Sequence, residues 1–217
     1  MNPDFSFAYC KANEILVKSH HISTFPFSVK DVVEECGFIK CKSYKLALKY
    51  NLDVSQFGSK SAVLSKIGER IIIFYDDSKP ETHISYSILQ EYGHFVLDHD
   101  PENYNNEDIY SIYEIETNFF TAQLLMPEQI IRELIKNQCH VDTNFLVSKF
   151  GVSGVAANKR MHTLAKTEYE WRSRSEKEFD DIILGRHLSF INGICPKHNY
   201  YDFEDEYSKQ LERDSWY

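Results

Sequence analysis

Residues 82–97 read THISYSILQEYGHFVL, and their pattern predicts a helix that begins just after Pro80. Gln90, Glu91 and His94 lie together on one side of this helix. A different face is apolar and consists of Ile84, Ile88, Leu89, Tyr92, Phe95 and Val96. We therefore expect the helix to pack on the core with its apolar face and to present a small polar group on another.

These polar side chains have the spacing of a metal-binding helix. Gln90 and His94 are four residues apart, which places two side chains about 6 Å apart on one helix face. In the pattern H-E-x-x-H, two histidines at these positions bind zinc, and the glutamate takes a proton from the metal-bound water. Here Glu91 occupies the position of the general base, but Gln90 stands where the first histidine would be. Alone, this altered pattern is weak, because many surface helices carry Gln and His four residues apart.

A catalytic zinc needs a third protein ligand. Glu114 follows His94 by twenty residues, in a predicted helix over 109–126, and Asn118 lies one turn further on. We expect Glu114 to be the third ligand and Asn118 to orient His94 through its second ring nitrogen. Glu116 is the rival ligand. Two residues on a helix differ by about 200°, so only one glutamate can face His94, and the pairing with Asn118 favours Glu114.

Gln90 is the departure that decides the chemistry. Its amide is neutral and a poorer zinc ligand than imidazole. Three outcomes stay open: an empty site, a weak zinc site completed by Gln90 or by water, and a site completed by another residue. His83 is about 10 Å from Gln90 along the helix axis, and His99 is rotated off the face of His94. Both are interpreted as structural or exposed histidines.

Three segments, in order, resemble the ImmA/IrrE family of metallo-endopeptidases. Residues 87–99, SILQEYGHFVLDH, resemble that family's H-E-L-G-H helix. Residues 114–127, EIETNFFTAQLLMP, resemble E-x-x-A-N-x-F-A-A-x-L-L-M-P. Residues 145–164, FLVSKFGVSGVAANKRMHTL, resemble L-A-x-x-F-x-V-S-x-x-A-x-x-x-R-L-x-x-L. The resemblance extends over about residues 8–166 and leaves the tail beyond 171 outside it.

The resemblance implies an α+β fold. It predicts a zincin-like, mostly helical domain with a small twisted sheet over residues 1–140. A helix-turn-helix-like bundle at 141–170 would pack on this domain, and 171–217 would form a C-terminal extension.

The resemblance also implies a function. Members of the family are zinc peptidases of mobile elements and stress responses that cleave a repressor with a DNA-binding helix-turn-helix. Carried over by position, Glu91 would be the general base, with His94 and Glu114 as zinc ligands and Gln90 in the place of the family's first histidine. We expect such a peptidase, with zinc binding and activity weakened or lost. The alternatives are a catalytically dead module that binds a protein partner and a DNA-binding regulator acting through residues 142–166.

Residues 70–75, RIIIFY, are the clearest strand, because they are β-branched and bounded by Gly68 and a polar turn. We expect an edge strand of the small sheet close to His94. There an extended peptide substrate would pair with Ile72, Ile73 and Phe74.

Composition limits the partners and the compartment. The net charge is −9, which disfavours direct binding to nucleic acid. The predicted helix-turn-helix adds few cations, namely Lys149, Lys159, Arg160 and Lys166. No segment approaches the roughly 18 apolar residues of a membrane span, the first residues do not resemble a signal peptide, and the five cysteines form no even framework. We expect a cytoplasmic protein.

Overall fold

The computed structural model describes residues 2–58 and 60–195. Three strands and nine α-helices lie within these residues, joined by short 3₁₀ turns. The strands are β1 (Ile39–Ser43), β2 (Ala62–Ile67) and β3 (Arg70–Tyr75). The helices are α1 (Phe5–Lys18), α2 (Val29–Glu34), α3 (Glu81–Val96), α4 (Glu107–Leu125), α5 (Glu128–Lys136), α6 (Thr143–Phe150), α7 (Gly154–Lys166), α8 (Asp180–Arg186) and α9 (Leu188–Ile194). The predicted α+β, mostly helical fold with a small sheet is confirmed.

Helices α3 and α4 form the frame of the polar site. Pro80 precedes α3, and its fixed φ suits the start of a helix. Gly93 faces α4, where an added Cβ would lie 3.1 Å from the Phe120 ring and 3.2 Å from Thr117 Cγ2. The missing side chain therefore lets the two helices approach closely and brings His94, the next residue, against α4.

The sheet has the order β1-β3-β2, with β1 parallel and β2 antiparallel to β3. The prediction of β3 as an edge strand is therefore wrong. The side chains of Ile72, Ile73 and Phe74 are only 2%, 0% and 0% exposed and form core. Both edges of β3 are occupied by β1 and β2, so these residues have no free edge for a peptide substrate. A continuous β-branched run is typical of a strand covered on both faces.

One cluster of buried side chains extends from Ala8 in α1 to Ile191 in α9. It includes Ile183 of α8, Leu146 of α6 and Leu134 of α5, all fully buried. Residues from all three predicted segments of the chain therefore contribute to the same core.

Helices α6 and α7 occupy the segment predicted to be a helix-turn-helix. Gly151 ends α6 in the left-handed conformation, with φ 64°, and the Ser153 hydroxyl accepts a hydrogen bond from the Ala156 N–H at the start of α7. A Cβ on Gly151 would lie 2.7 Å from Pro26 Cβ. The turn is therefore tight for both conformational and packing reasons.

Candidate active site

The candidate site is a cleft of about 210 Å³ between α3, α4 and the start of β2. His83 lies at its exposed end, where its Nε2 is 2.8 Å from the Ser61 hydroxyl. The cleft is lined by Lys60, Ser61, Ala62, His83, Ser87, Gln90, Glu91, Tyr110 and Glu114. The structure thus brings together Gln90, Glu91 and Glu114 in one cavity wall.

His94 and Glu114 meet across the two helices. The distance between His94 Nε2 and Glu114 Oε1 is 3.2 Å. The hydrogen bond to His94 holds the pKa of Glu114 below its ordinary value, against the opposing effect of burial. The geometric prediction that Glu114, and not Glu116, faces His94 is confirmed.

His99 contacts the other nitrogen of His94, with 3.0 Å between the two Nδ1 atoms. His99 Nε2 lies 2.9 Å from Glu116 Oε2, and its ring stacks on Tyr113 at 4.0 Å. The prediction that Asn118 orients His94 is wrong. The helix ends at Val96, and Asp98 then takes φ 55°, which turns His99 back onto His94.

This chain of contacts restricts the histidine tautomers. An ionised Glu116 accepts only, so His99 Nε2 donates to it. Burial is the larger cause and the nearby His94 the smaller cause that lowers the pKa of His99. The lowered pKa favours a neutral ring with a lone pair on Nδ1. His94 Nδ1 then donates to that lone pair. The hydrogen bond from His94 Nε2 to Glu114 Oε1 then requires a second proton on the ring, and a metal ion could bind Nε2 only where that proton is absent.

Asn118 positions Gln90 instead of His94. The Asn118 Nδ2 group donates to the Glu114 carbonyl at 2.6 Å, so its Oδ1 faces the other way. That oxygen accepts from the Tyr86 hydroxyl at 2.8 Å and from Gln90 Nε2 at 3.3 Å. The N–H₂ end of the Gln90 amide is consequently committed to Asn118. Sequence reasoning missed Tyr86, which is one turn before Gln90 on α3.

Glu91, the candidate base, is bound to the sheet. Its Oε2 accepts a hydrogen bond of 2.8 Å from the Leu64 backbone N–H in β2. Burial raises the pKa of Glu91, whereas the Leu64 N–H and His94 act in the opposite direction. A carboxyl group with a raised pKa beside a cleft is typical of a proton-transfer group.

The donor set differs from that of a catalytic zinc. A catalytic site uses three protein ligands, chosen from histidine, cysteine and carboxylates, and leaves one position open. Among residues 2–58 and 60–195, no three such side chains are placed to hold an ion. His94 and Glu114 supply two donors, and the third place belongs to the neutral amide of Gln90. The residues present therefore do not fit a tightly bound catalytic zinc.

Within the described part of the chain, no helix has the length and apolar character that crossing a membrane requires. Searches of curated proteins and of solved structures found no match.

A family model does match. It describes the IrrE N-terminal-like domain of peptidase family M78 and aligns with residues 47–162, more than half of the chain. The matched range contains β2, β3 and helices α3 to α6, together with most of α7. Members of the family are generally zinc-dependent. The fold, the site on α3 and α4, and this match agree, and the chain belongs to the IrrE N-terminal-like family of metallopeptidase-like proteins.

Proposed function

We propose that this protein binds an extended segment of a protein partner along β2 and holds zinc too weakly to act as an efficient peptidase. The observation that carries the proposal is the neutral amide of Gln90 at the position of a zinc ligand, whose N–H₂ donates to Asn118 and leaves only the amide oxygen for a metal. Loss of a group that only orients a ligand costs about 10–100-fold in metal affinity. Replacement of a direct ligand by a neutral amide should cost at least as much.

The docking surface follows from the hydrogen-bond pattern of the sheet. Asp76 N–H donates to the Ser61 carbonyl, and the register then directs the N–H and C=O groups of Val63, Ser65 and Ile67 toward β3. The groups of the alternate residues, Ala62, Leu64 and Lys66, face away from β3. They have no backbone partner among the described residues. Such an edge is suited to pair with an added strand.

The partner class comes from the family. The resemblance implies a transcriptional repressor that carries a helix-turn-helix, in the cytoplasm, and the net charge of −9 favours a protein partner over DNA. Binding without cleavage would hold such a repressor in a complex. Regulation would then depend on the amount of this protein and not on turnover.

The test uses two variants at Lys66, an exposed residue whose N–H faces outward. Lys66→Pro removes that N–H and leaves the β2–β3 ladder intact, because proline is tolerated at the outer positions of an edge strand. Lys66→Ala removes the same charge and keeps the N–H. We expect the proline variant to bind a candidate repressor at least tenfold more weakly than the alanine variant in calorimetry. Equal affinities for the two variants would exclude strand pairing at this edge.

A weakly active peptidase is the second candidate. It is favoured by Glu91, His94 and Glu114, which keep the positions of the base and two ligands. Incubation of the wild-type protein and zinc with the candidate repressor, followed by mass spectrometry, separates the two candidates. Intact repressor after many hours supports the binding role. Cleavage that Glu91→Ala abolishes would support the peptidase.

A further inference from the structure

A second and larger cavity lies on the other side of Asn118 from the candidate site. It has a volume of about 620 Å³ and is bounded by α1, α4 and α7, which is within the usual range for small-molecule sites, about 300–1,000 Å³. Its walls are mostly apolar. The apolar lining consists of Phe5, Ile115, Phe119, Ala122 and Ala156.

Arg160 lines this cavity from α7 and is only 1% exposed. Its Nε donates to the Met126 carbonyl at 3.0 Å, and its Nη2 donates to Gln123 Oε1. The remaining Nη1 has no hydrogen-bond partner among the described residues. A buried, unpaired donor on a charged group costs free energy, so the positive charge of Arg160 beside the cavity would be stabilised by a nearby anion.

The charges around the cavity have one sign. Lys159 and Lys166 line it and are exposed at its rim, and none of its lining residues is acidic. Arg172 also lines it, but its guanidinium is neutralised by Glu128 and Glu176, at 2.6 and 2.9 Å. Two lysines and one buried arginine therefore remain to attract an anion.

We propose that this cavity binds a small amphipathic anion. A carboxylate or phosphate group would pair with Lys159 or Lys166 at the rim and be attracted by the buried charge of Arg160, and an aliphatic or aromatic body would lie against Phe5 and Phe119. No residue of this site belongs to the base or ligand positions of the candidate active site.

The two cavities share a hydrogen-bonded wall. Tyr86 and Asn118 line the larger cavity, and Asn118 accepts hydrogen bonds from both Tyr86 and Gln90. A ligand in the larger cavity would therefore contact the side chains that hold Gln90 in place. Occupation of the cavity should alter the NMR signals of the Gln90 side-chain amide, although that residue lies in the other cleft.

Calorimetry of the full chain tests the site with octanoate and octyl phosphate, which distinguish the two anionic groups. Octan-1-ol provides an apolar body of the same length without charge. We expect one anion to bind with 1:1 stoichiometry and at least tenfold more tightly than the alcohol. The Lys159→Ala/Lys166→Ala variant should lose at least tenfold in affinity for it. Ala122→Phe, which fills the cavity and keeps every charge, should abolish binding.

Lys149→Ala is the matched control, because Lys149 is an exposed lysine of α6 outside the cavity lining. It should bind the anion as the wild-type protein does. Equal affinity for anion and alcohol would overturn the proposed anion recognition. Unchanged binding by a folded Ala122→Phe variant, or no binding of either anion to the wild-type protein, would overturn the site itself. Each of these outcomes is independent of peptidase activity and of repressor binding.

Discussion

The side chain of Glu91 is joined to the backbone of Leu64, with 2.8 Å between Oε2 and the amide nitrogen. This bond uses an outward-facing N–H in the middle of β2, the strand whose edge borders the cleft. A peptide strand that paired with β2 at Leu64 would have to displace the Glu91 carboxylate. Docking of a partner strand and release of Glu91 therefore both depend on the N–H group of Leu64.

Glu91→Gln tests the cost of the buried carboxylate. Burial raises the pKa of Glu91 above its ordinary 4.5, so the folded protein binds this proton more tightly than the unfolded chain does. The resulting contribution to stability is present below pH 4.5 and is lost as the pH rises through the folded pKa. The glutamine variant carries no charge and its Oε1 can still accept from Leu64. We expect it to be more stable than the wild-type protein at pH 7 and to lose this advantage toward pH 4.5 in urea unfolding.

Glu81→Gln is the control for that experiment, because Glu81 is on the same helix and its side chain is 73% exposed. Its stability should lie within about 1 kcal/mol of that of the wild-type protein at both pH values, because it loses only an exposed ion pair with Lys30 and a favourable charge in the first helical turn. A Glu91→Gln variant that is less stable at pH 7 would mean that the bond to Leu64 outweighs the cost of burial.

The helical frame could be predicted from the sequence, but the position of β3 in the sheet could not. Periodicity identified α3 and α4, and helix geometry then allowed only one of Glu114 and Glu116 to face His94. The choice of Glu114 is correct, although it relied on Asn118, which bonds to Gln90 and not to His94. The apolar run of β3 predicts a strand, yet β-branched residues occur in both edge and central strands. Its central position depends on β1, which pairs in parallel from a distant part of the chain.

His99 shows a different limit of sequence reasoning. Continuing α3 beyond Leu97 rotates His99 away from His94, and the sequence pattern does not fix the last residue of a helix. In the structure Asp98 adopts φ 55°, a conformation that aspartate tolerates better than most residues. The conformation of Asp98 alone therefore brings His99 to His94. Sequence reasoning expected Asn118 in that place.

The C-terminal helices can be tested as part of the main core. Ile183 of α8 is fully buried in the cluster that includes α1, whereas the adjacent Ile182 is 48% exposed. We expect Ile183→Ala to lower the free energy of unfolding by about 2–5 kcal/mol and Ile182→Ala to change it by at most about 0.5 kcal/mol. Chemical denaturation with a single transition measures both. Similar small effects at the two positions would mean that α8 unfolds separately from the core.

Binding of DNA by α6 and α7 is expected to be weak. Arg160 is directed into the protein and bonded to Met126, which removes one of the few cations of this segment from any DNA surface. The net charge of −9 opposes binding as well. A gel-shift assay at physiological salt should show no sequence-specific complex near 10⁻⁸ M, roughly the affinity that specific binders reach. A nanomolar complex with a defined operator would contradict this expectation.

Gln90→His is expected to increase the affinity for zinc at least tenfold. Removal of a group that only orients a metal ligand already lowers metal affinity by about 10–100-fold. The new imidazole would lie one turn before His94 and opposite Glu114, whose carboxylate is 3.2 Å from His94 Nε2. It would complete the set of three ligands that a catalytic zinc uses. Competition with a fluorescent zinc chelator measures the affinity, and Gln90→Ala is the matched control because it removes the amide without adding a donor. His94→Ala in the Gln90→His background should remove the gain.

Cleavage of a candidate repressor by the histidine variant alone would show that the rest of the cleft has kept its catalytic geometry. If the wild-type protein already binds one equivalent of zinc as tightly as the variant and cleaves as fast, Gln90 is a competent ligand and the proposed non-catalytic role is wrong.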